Sequence, residues 1–523
     1  MPTESRSLRA RVPLIAALAV LSLALFAPQA LARYVYTGNY DTDSVSVIDT
    51  ATNQVVGNPI PAGNGPYSMA VTPNGQTLYV AGEISEDLTA INTQSNQAVG
   101  TIPLGIQPAT IAISPNGSIA YVTDQDSDRF VVVDLLAGKV VGGPVGVGKD
   151  PWGVAFSPDG KTAYVTNQGD NSVSVIDTQT GQTLGTIPVG KGPINVIFSP
   201  SGTIAYVANY SGNSVSVINT QTRQTVGTIP VGEEPWGLGL NPSATRLYVS
   251  NEDANSVSVI DTQTGQAVVG PIPTGEEPYE LASTPDGRTV YVANYSGDSV
   301  TAINTATNQT TTIPVPGGPW QIAIVPDQSP SGSFTATASK SNSLSLRFDA
   351  VNVLDPDGTV ASFNWNYGDG VTAPNAGPST VHKYAKAGTY AVGLSLVDNE
   401  GCSGFVFTGR TAFCNGANPT QQITVKAPNT FTFGSLTRNK SKGTAKLKVK
   451  VPYAGKISLF GKVKAAKRST KKAGVVTLNI RPKPKTKKQL NAKGSAKIRI
   501  KVKFTPTGGK ARTKGKTLKL IKR

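Results

Sequence analysis

Over most of the first 327 residues, apolar and polar positions alternate with period two in short runs, and turn residues separate the runs. One passage holds PWGVAFSP (Pro151 to Pro158), a DGK turn, TAYVTN, a polar loop, SVSVIDT, a QTGQ turn and TLGTIPVG. Four β-rich runs with no helical period predict four antiparallel strands. The passage recurs. Aligned on one tyrosine, its copies stand at Tyr36, Tyr79, Tyr121, Tyr164, Tyr206, Tyr248 and Tyr291, spaced by 42 or 43 residues. A fixed period of this size with four strands per unit predicts propeller blades, seven of them, in an all-β chain.

The ends of the array predict how the ring closes. The segment that opens a blade occurs as PYSMAVTP, PATIAISP, PWGVAFSP, PINVIFSP, PWGLGLNP, PYELASTP and PWQIAIVP. The unit beginning at Arg33 lacks it, and Pro319 to Pro326 supplies one with no blade of its own. Joining the two completes the seventh blade and covers the edges an open array would expose.

YVTN at Tyr164 to Asn167, YVAN at Tyr206 and Tyr291 and YVSN at Tyr248, together with SVSVIDT and SPDG, carry a resemblance. Residues 33–327 resemble the YVTN-type propeller repeats of bacterial secreted and archaeal surface-layer proteins. The resemblance implies the fold. Propellers of this kind are similar both to lactonase-type enzymes and to binding scaffolds, so it does not imply one activity.

A four-stranded meander sorts its connections onto two rims. One rim repeats SPDG or SPNG and DTQTGQ or NTATNQ, which turn geometry explains. The other varies, and gathers carboxylates (among them Glu83, Glu86, Asp124, Asp126, Glu252 and Asp253) and aromatics including Trp320. Rings supply contact area and polar groups supply direction, so this rim is the candidate binding surface for a glycan, peptide or protein. Its candidate residues are Tyr40, Tyr210, Tyr295, Trp152, Trp236, Tyr279, Glu233, Glu234, Glu276 and Glu277. A plainer reading stands beside this one. Trp152, Val154 and Phe156 alternate with small residues, which places the tryptophans between blades, and the carboxylates are then a solvated rim. Asn209, Asn251 and Asn294, after each YVA or YVS, are expected to start loops by Asx turns.

The single histidine, His382, lies outside the repeats. That removes a Ser-His-Asp triad and histidine-ligated zinc or haem from the propeller, and no HExxH, Walker loop or GxSxG is present. The residues therefore point away from an enzyme and imply no cofactor and no metal site. The resemblance to lactonase-like propellers keeps open a cation cupped at the channel mouth by acids from different blades.

Beyond a DQSPSGS linker, Phe348-Asp349-Ala350, Asp355-Pro356-Asp357-Gly358, Trp365, Gly368-Asp369-Gly370, His382-Lys383-Tyr384 and Gly388-Thr389-Tyr390 mark residues 333–425. They resemble a PKD domain, an immunoglobulin-like sandwich that serves as spacer or adhesive module, which implies structural places for Trp365 and His382. Cys402 and Cys414 depart from that pattern; an exported pair this close is expected to form one disulfide.

Charge divides the chain. Residues 427–523 hold 30 Lys and Arg and no acid, whereas the remainder holds 18 basic and 32 acidic residues. GTAKLKVKVP, GKISLFGKVK, GVVTLNIRP, SAKIRIKVKF and GKTLKLIKR alternate apolar with basic residues, predicting a small Lys-rich β-sandwich that attracts polyanions such as anionic cell-wall polymers. Aromatics there are not spaced as a base-stacking platform, so no specific nucleic-acid reading is expected. At the other end, Arg6, Arg9 and Arg11 precede an apolar run ending Ala30-Leu31-Ala32, which reads as a cleaved signal peptide over residues 1–32 with no membrane span after it. The sequence thus describes a secreted, surface-associated binding or scaffold protein. A lactonase-like or other hydrolytic enzyme targeted to the envelope and a self-assembling surface-layer protein are the alternatives.

Overall fold

The seven repeats fold as seven antiparallel sheets, six of them four-stranded meanders and the closing one with its outermost strand split into Gln54–Val55 and Ile60–Pro61, in a computed structural model whose described residues are 34–339, 343–355, 358–399, 406–407, 412–413 and 419–523. The innermost strands are Pro66–Val71, Pro108–Ile113, Pro151–Phe156, Pro193–Phe198, Pro235–Leu240, Pro278–Ser283 and Pro319–Ile324. Ring closure is as the sequence predicts: Pro319–Ile324 pairs antiparallel with Tyr34–Asn39, with Tyr36 opposite Ala323 and Thr37 opposite Ile322. Large side chains of the alternating pattern fill the space between blades. Tyr121 sits 4.5 Å from the Phe130 ring and 4.6 Å from the Phe156 ring of the next blade. All three are buried.

One irregularity repeats in every blade. Each innermost strand gains one residue against its neighbour just after its opening proline, for example between Pro151 and Val154 opposite Asn167 and Val165. The same shift occurs in the other six. Such a bulge twists the strand end and re-aims its side chains. It also frees backbone groups, and where YVTN or YVSN carries a hydroxyl, that hydroxyl takes them up. Thr166 Oγ1 accepts from Gly153 N at 2.7 Å and donates to Ile194 O of the next blade at 3.0 Å. Thr123 and Ser250 do the same work in their blades.

The asparagine of the motif corrects an expectation. Asn209, Asn251 and Asn294 do not start Asx turns. Their amides cross to the next strand, as when Asn209 Nδ2 donates to Ser214 Oγ at 3.1 Å and Ser216 Oγ at 3.0 Å. Asn251 and Asn294 repeat the bridge to Ser256 and Ser258 and to Ser299 and Thr301. A buried amide nitrogen satisfied across two strands explains both the asparagine and the serine or threonine pair that follows it. Asx turns occur instead on the opposite rim, where Asp177 Oδ1 accepts from Gln179 N and Thr180 N.

The PKD-like region forms two facing sheets, Ser331–Ala338 with Ser345–Leu354 and Ser379–Lys383, and Val360–Asn366 with Thr372–Ala373, Gly388–Asp398 and Thr420–Val425. Trp365 is its buried centre, with Nε1 donating to Gly377 O, and His382 lies flat on Tyr367 with Nε2 2.8 Å from Asp369. Both are structural places, as the resemblance implied. Cys402, Cys414 and residues 1–33 lie outside the described residues. Between the two cysteines, Val406–Phe407 pairs with Ala412–Phe413.

The basic region is a second sandwich of three and four strands around one apolar core. Thr444–Val451 and Ser495–Pro506 alternate buried apolar with exposed basic residues along their length. One element departs from the expectation of strands alone, the helix Pro484–Lys493. It has almost no apolar stripe, burying only Thr486 and Leu490. Its ends carry the signals that periodicity lacks, Pro in the first turn and a left-handed Gly494 after the last. No helix among the described residues is long and apolar enough to cross a membrane.

Candidate functional site

The bulges decide what stands at the channel mouth. The residue after each opening proline leaves the inter-blade alternation and faces the axis, so Tyr67, Trp152, Trp236, Tyr279 and Trp320 converge there with Tyr40, Tyr210 and Tyr295 from the loops. Trp320 stacks between Tyr279, 3.8 Å away, and Tyr67, 5.0 Å away. Trp236 meets Tyr279, Tyr210, Trp320 and Trp152 edge to face at 4.8 to 5.7 Å. Tyr40 and Tyr295 close the cluster at 6.1 and 5.2 Å from Trp320. Eight rings thus form one floor, and edge-to-face packing of this kind holds rings rigidly. The plainer reading of the tryptophans holds in part: Trp152 and Trp236 also pack against the apolar core of a neighbouring blade interface.

Carboxylates ring this floor and hold its phenols. Tyr40 Oη donates to Glu83 at 2.6 Å, Tyr210 Oη to Glu234 at 2.7 Å, Tyr279 Oη to Glu252 at 2.9 Å and Tyr295 Oη to Asp41 at 3.1 Å. The bond to Glu83, with burial second, pushes the Tyr40 phenol up to about 12. Burial raises Tyr279 and Tyr210, and nearby carboxylates add to the rise. Glu252 is itself raised, chiefly by burial. Glu277 accepts from Ser296, whereas Glu233 and Glu276 stand exposed farther out. Asp124 is set apart: it is buried in an ion pair with Arg129 at 2.7 Å, standing in for the asparagine bridge of other blades.

Beneath the rings lies a polar girdle that sequence reasoning missed. Of the third residues of the innermost strands, Thr110, Asn195, Glu280 and Gln321 line the channel, and Asn195 Nδ2 donates to Glu280 Oε2 at 3.0 Å across an intervening blade. The others turn to the next blade: Ser68 Oγ accepts from Ile111 N, and Gly153 and Gly237 lie against its backbone. Thr110, Asn195, Glu280 and Gln321, with Tyr67, Ala109, Ile194 and the three tryptophans, enclose about 10 Å³, room for roughly one water molecule. Glu280 is 4 % exposed. The signal was present as a column of small or polar residues in which one charged residue stood, but without the bulge nothing told which face it occupied. Tyr67 was missed for the same reason. Among the described residues no group of three or more His, Cys, Asp or Glu is arranged to hold a metal ion.

A profile described as "Lactonase, 7-bladed beta-propeller" matches residues 26–180, 142–229 and 224–315, more than half of the chain. The chain belongs to this lactonase-type propeller family. A PKD domain profile matches residues 327–409 of the same chain. Among curated proteins, "Microbial collagenase" of Vibrio alginolyticus is 35 % identical over 82 residues, 16 % of this chain and 10 % of that protein. "Collagenase ColA" of Clostridium perfringens is 38 % identical over 56 residues, 11 % of this chain and 5 % of that one. The chain therefore spans a tenth or less of these relatives. Among solved structures, a chain of Kuenenia stuttgartiensis hydrazine synthase is 26 % identical with a TM-score of 0.47, covering 52 % of this chain and 92 % of that one. A putative 6-phosphogluconolactonase from Bacteroides uniformis is 18 % identical with a TM-score of 0.49, covering 56 % and 99 %.

In this lactonase-family propeller the two rims differ sharply in charge. Connections between second and third strands, and between one blade and the next, carry fifteen carboxylates and two lysines, Lys149 and Lys191. Connections on the opposite rim carry two carboxylates and three basic residues. The ring is therefore a disc with one strongly negative face, and that face holds the aromatic floor. Such a surface attracts cations over a Debye length and repels anions.

Proposed function

We propose that the protein is an extracellular scaffold that recognises a ligand on the acidic, aromatic rim of its propeller, spaces that rim by the PKD domain, and anchors to an anionic envelope polymer through residues 427–523. One observation carries this reading: charge is segregated by surface, with fifteen carboxylates against two lysines on one propeller rim and 30 basic residues without an acid in the terminal sandwich. The PKD-type similarity to bacterial collagenases and the apolar, arginine-preceded N-terminal run support placement outside the cytoplasm. Retention of the full chain on isolated cell walls across a salt series tests the anchor. Charge reversal at the exposed Lys446 and Lys448 is expected to shift elution to lower salt, since each lost cation removes part of a salt-sensitive attraction; unchanged elution refutes it. Glycan and peptide arrays, with tryptophan fluorescence as second readout, test the rim.

Membership of the lactonase-type family favours a second reading, hydrolysis of a lactone at the same mouth. The negative face opposes a phosphorylated sugar lactone, so this reading needs an uncharged one. Turnover of neutral lactones that is lost in Glu280→Gln, with an unchanged melting temperature, would establish it; the absence of turnover leaves the scaffold reading.

A further inference from the structure

The outer face of the four-stranded sheet in the basic sandwich is a cationic plane. Along Ser495–Pro506, Lys497, Arg499, Lys501 and Lys503 are exposed while Ile498, Ile500 and Val502 between them are buried. Successive cations on such a strand lie about 7 Å apart. Lys519 sits directly opposite Lys497 on the neighbouring strand. Like charges paired across strands are unfavourable, and residues 427–523 contain no Asp or Glu to relieve them. A surface of opposite sign would.

The same chain carries one. The propeller rim joins an excess of carboxylates to a floor of rings, Tyr67 and Tyr279 buried and the other six half-buried. A lysine suits both features: its apolar stem packs along ring edges while its ammonium meets the surrounding carboxylates. Tyrosines that donate to carboxylates, as Tyr40 and Tyr210 do, hold more electron density in their rings and draw a cation more strongly. We propose that the lysine face of the terminal sandwich docks on the acidic, aromatic rim of a second copy of this chain.

The two patches are different surfaces, so the contact is heterologous. Each docked pair keeps one free rim and one free lysine face, and association extends head to tail instead of closing as a symmetric dimer. The inference rests on the reading of the rim as a recognition surface and deepens it by naming the partner. Envelope anchoring stays available to the opposite sheet, where Lys446, Lys448 and Lys450 are exposed.

Sedimentation velocity of the full chain over a concentration series provides the test. At low ionic strength mass should grow with concentration, and about 0.5 M salt should abolish the growth, because screening then acts over a few ångströms. Two variants at exposed sites, Glu233→Lys with Glu276→Lys, and Lys501→Glu with Lys503→Glu, should each weaken association roughly tenfold or more. Mixed together, they should form a heterodimer that grows no further, because one supplies an intact lysine face and the other an intact rim; this outcome also shows that both are folded. Three of the four tryptophans belong to the floor and the fourth, Trp365, is buried in the PKD core, so fluorescence should change on association. A chain that stays monomeric at every concentration in low salt, or a mixture that does not associate, overturns the proposal. If such a monomer still binds cell walls, the anchoring role stands while this inference falls.

Discussion

A few side chains per blade account for the motif that repeats around the ring. The hydroxyl of YVTN serves the bulge, its asparagine bridges to S-x-S, and a glycine in the preceding loop makes room for that asparagine. A Cβ on Gly232 would lie 2.5 Å from Asn251 Cγ, and one on Gly190 2.5 Å from Asn209 Cγ. Gly232→Ala is therefore expected to cost about 1–3 kcal/mol by overpacking, and Asn251→Ala a similar about 1–3 kcal/mol by stranding its serine partners. Denaturant unfolding of each variant checks this; losses below a few tenths of a kilocalorie would show that the bridge is dispensable. Glu252 behaves differently because its folded pKa lies above its unfolded one. The native state then holds the proton to higher pH. The stability contributed by this group is full below the ordinary carboxylate range and falls as pH rises toward the raised value, after which it stays constant. Glu252→Gln should accordingly melt above the parent at pH 7, and the difference should vanish near pH 4. Melting curves that stay parallel from pH 4 to 8 refute the assignment.

Among the elements, the strand Pro319–Ile324 does the most for its length, since it alone closes the ring. Ile322 is buried against the first and last blades and pairs with Thr37. Ile322→Ala should cost about 2–5 kcal/mol, as for other buried aliphatic truncations, and deletion of 319–326 should broaden and lower the melt by much more. An unchanged melt after the deletion would mean that the ring does not depend on closure. The blades and this closure were legible because strand alternation and turn residues are local signals repeated seven times. The helix Pro484–Lys493 was not, because its sequence lacks an apolar stripe and only its terminal proline and glycine mark it. The bulges were invisible for another reason. A one-residue shift is a relation between two strands, and nothing in PWGVAF states the register of its neighbour.

For the whole molecule, electrostatics is the organising quantity. The propeller's two rims differ in charge although their connections alternate along the chain, and the terminal sandwich opposes the negative rim with unrelieved positive charge. Removing residues 429–523 should abolish wall retention and self-association while leaving the propeller melt in place. Loss of the propeller melt in that truncation would show instead that the sandwich is a folding partner of the ring.

The sequence by itself determined seven four-stranded blades, the strand that closes them, the PKD-like sandwich and the cationic strands, because each follows from periodicity and composition within a few residues. Tertiary structure decided the site. Eight rings drawn from six blades, the phenol-to-carboxylate bonds between neighbouring blades and the Asn195–Glu280 pair beneath them arise from strand bulges and ring closure. These are contacts between residues far apart in the chain, and a linear pattern carries no information on which of them will meet.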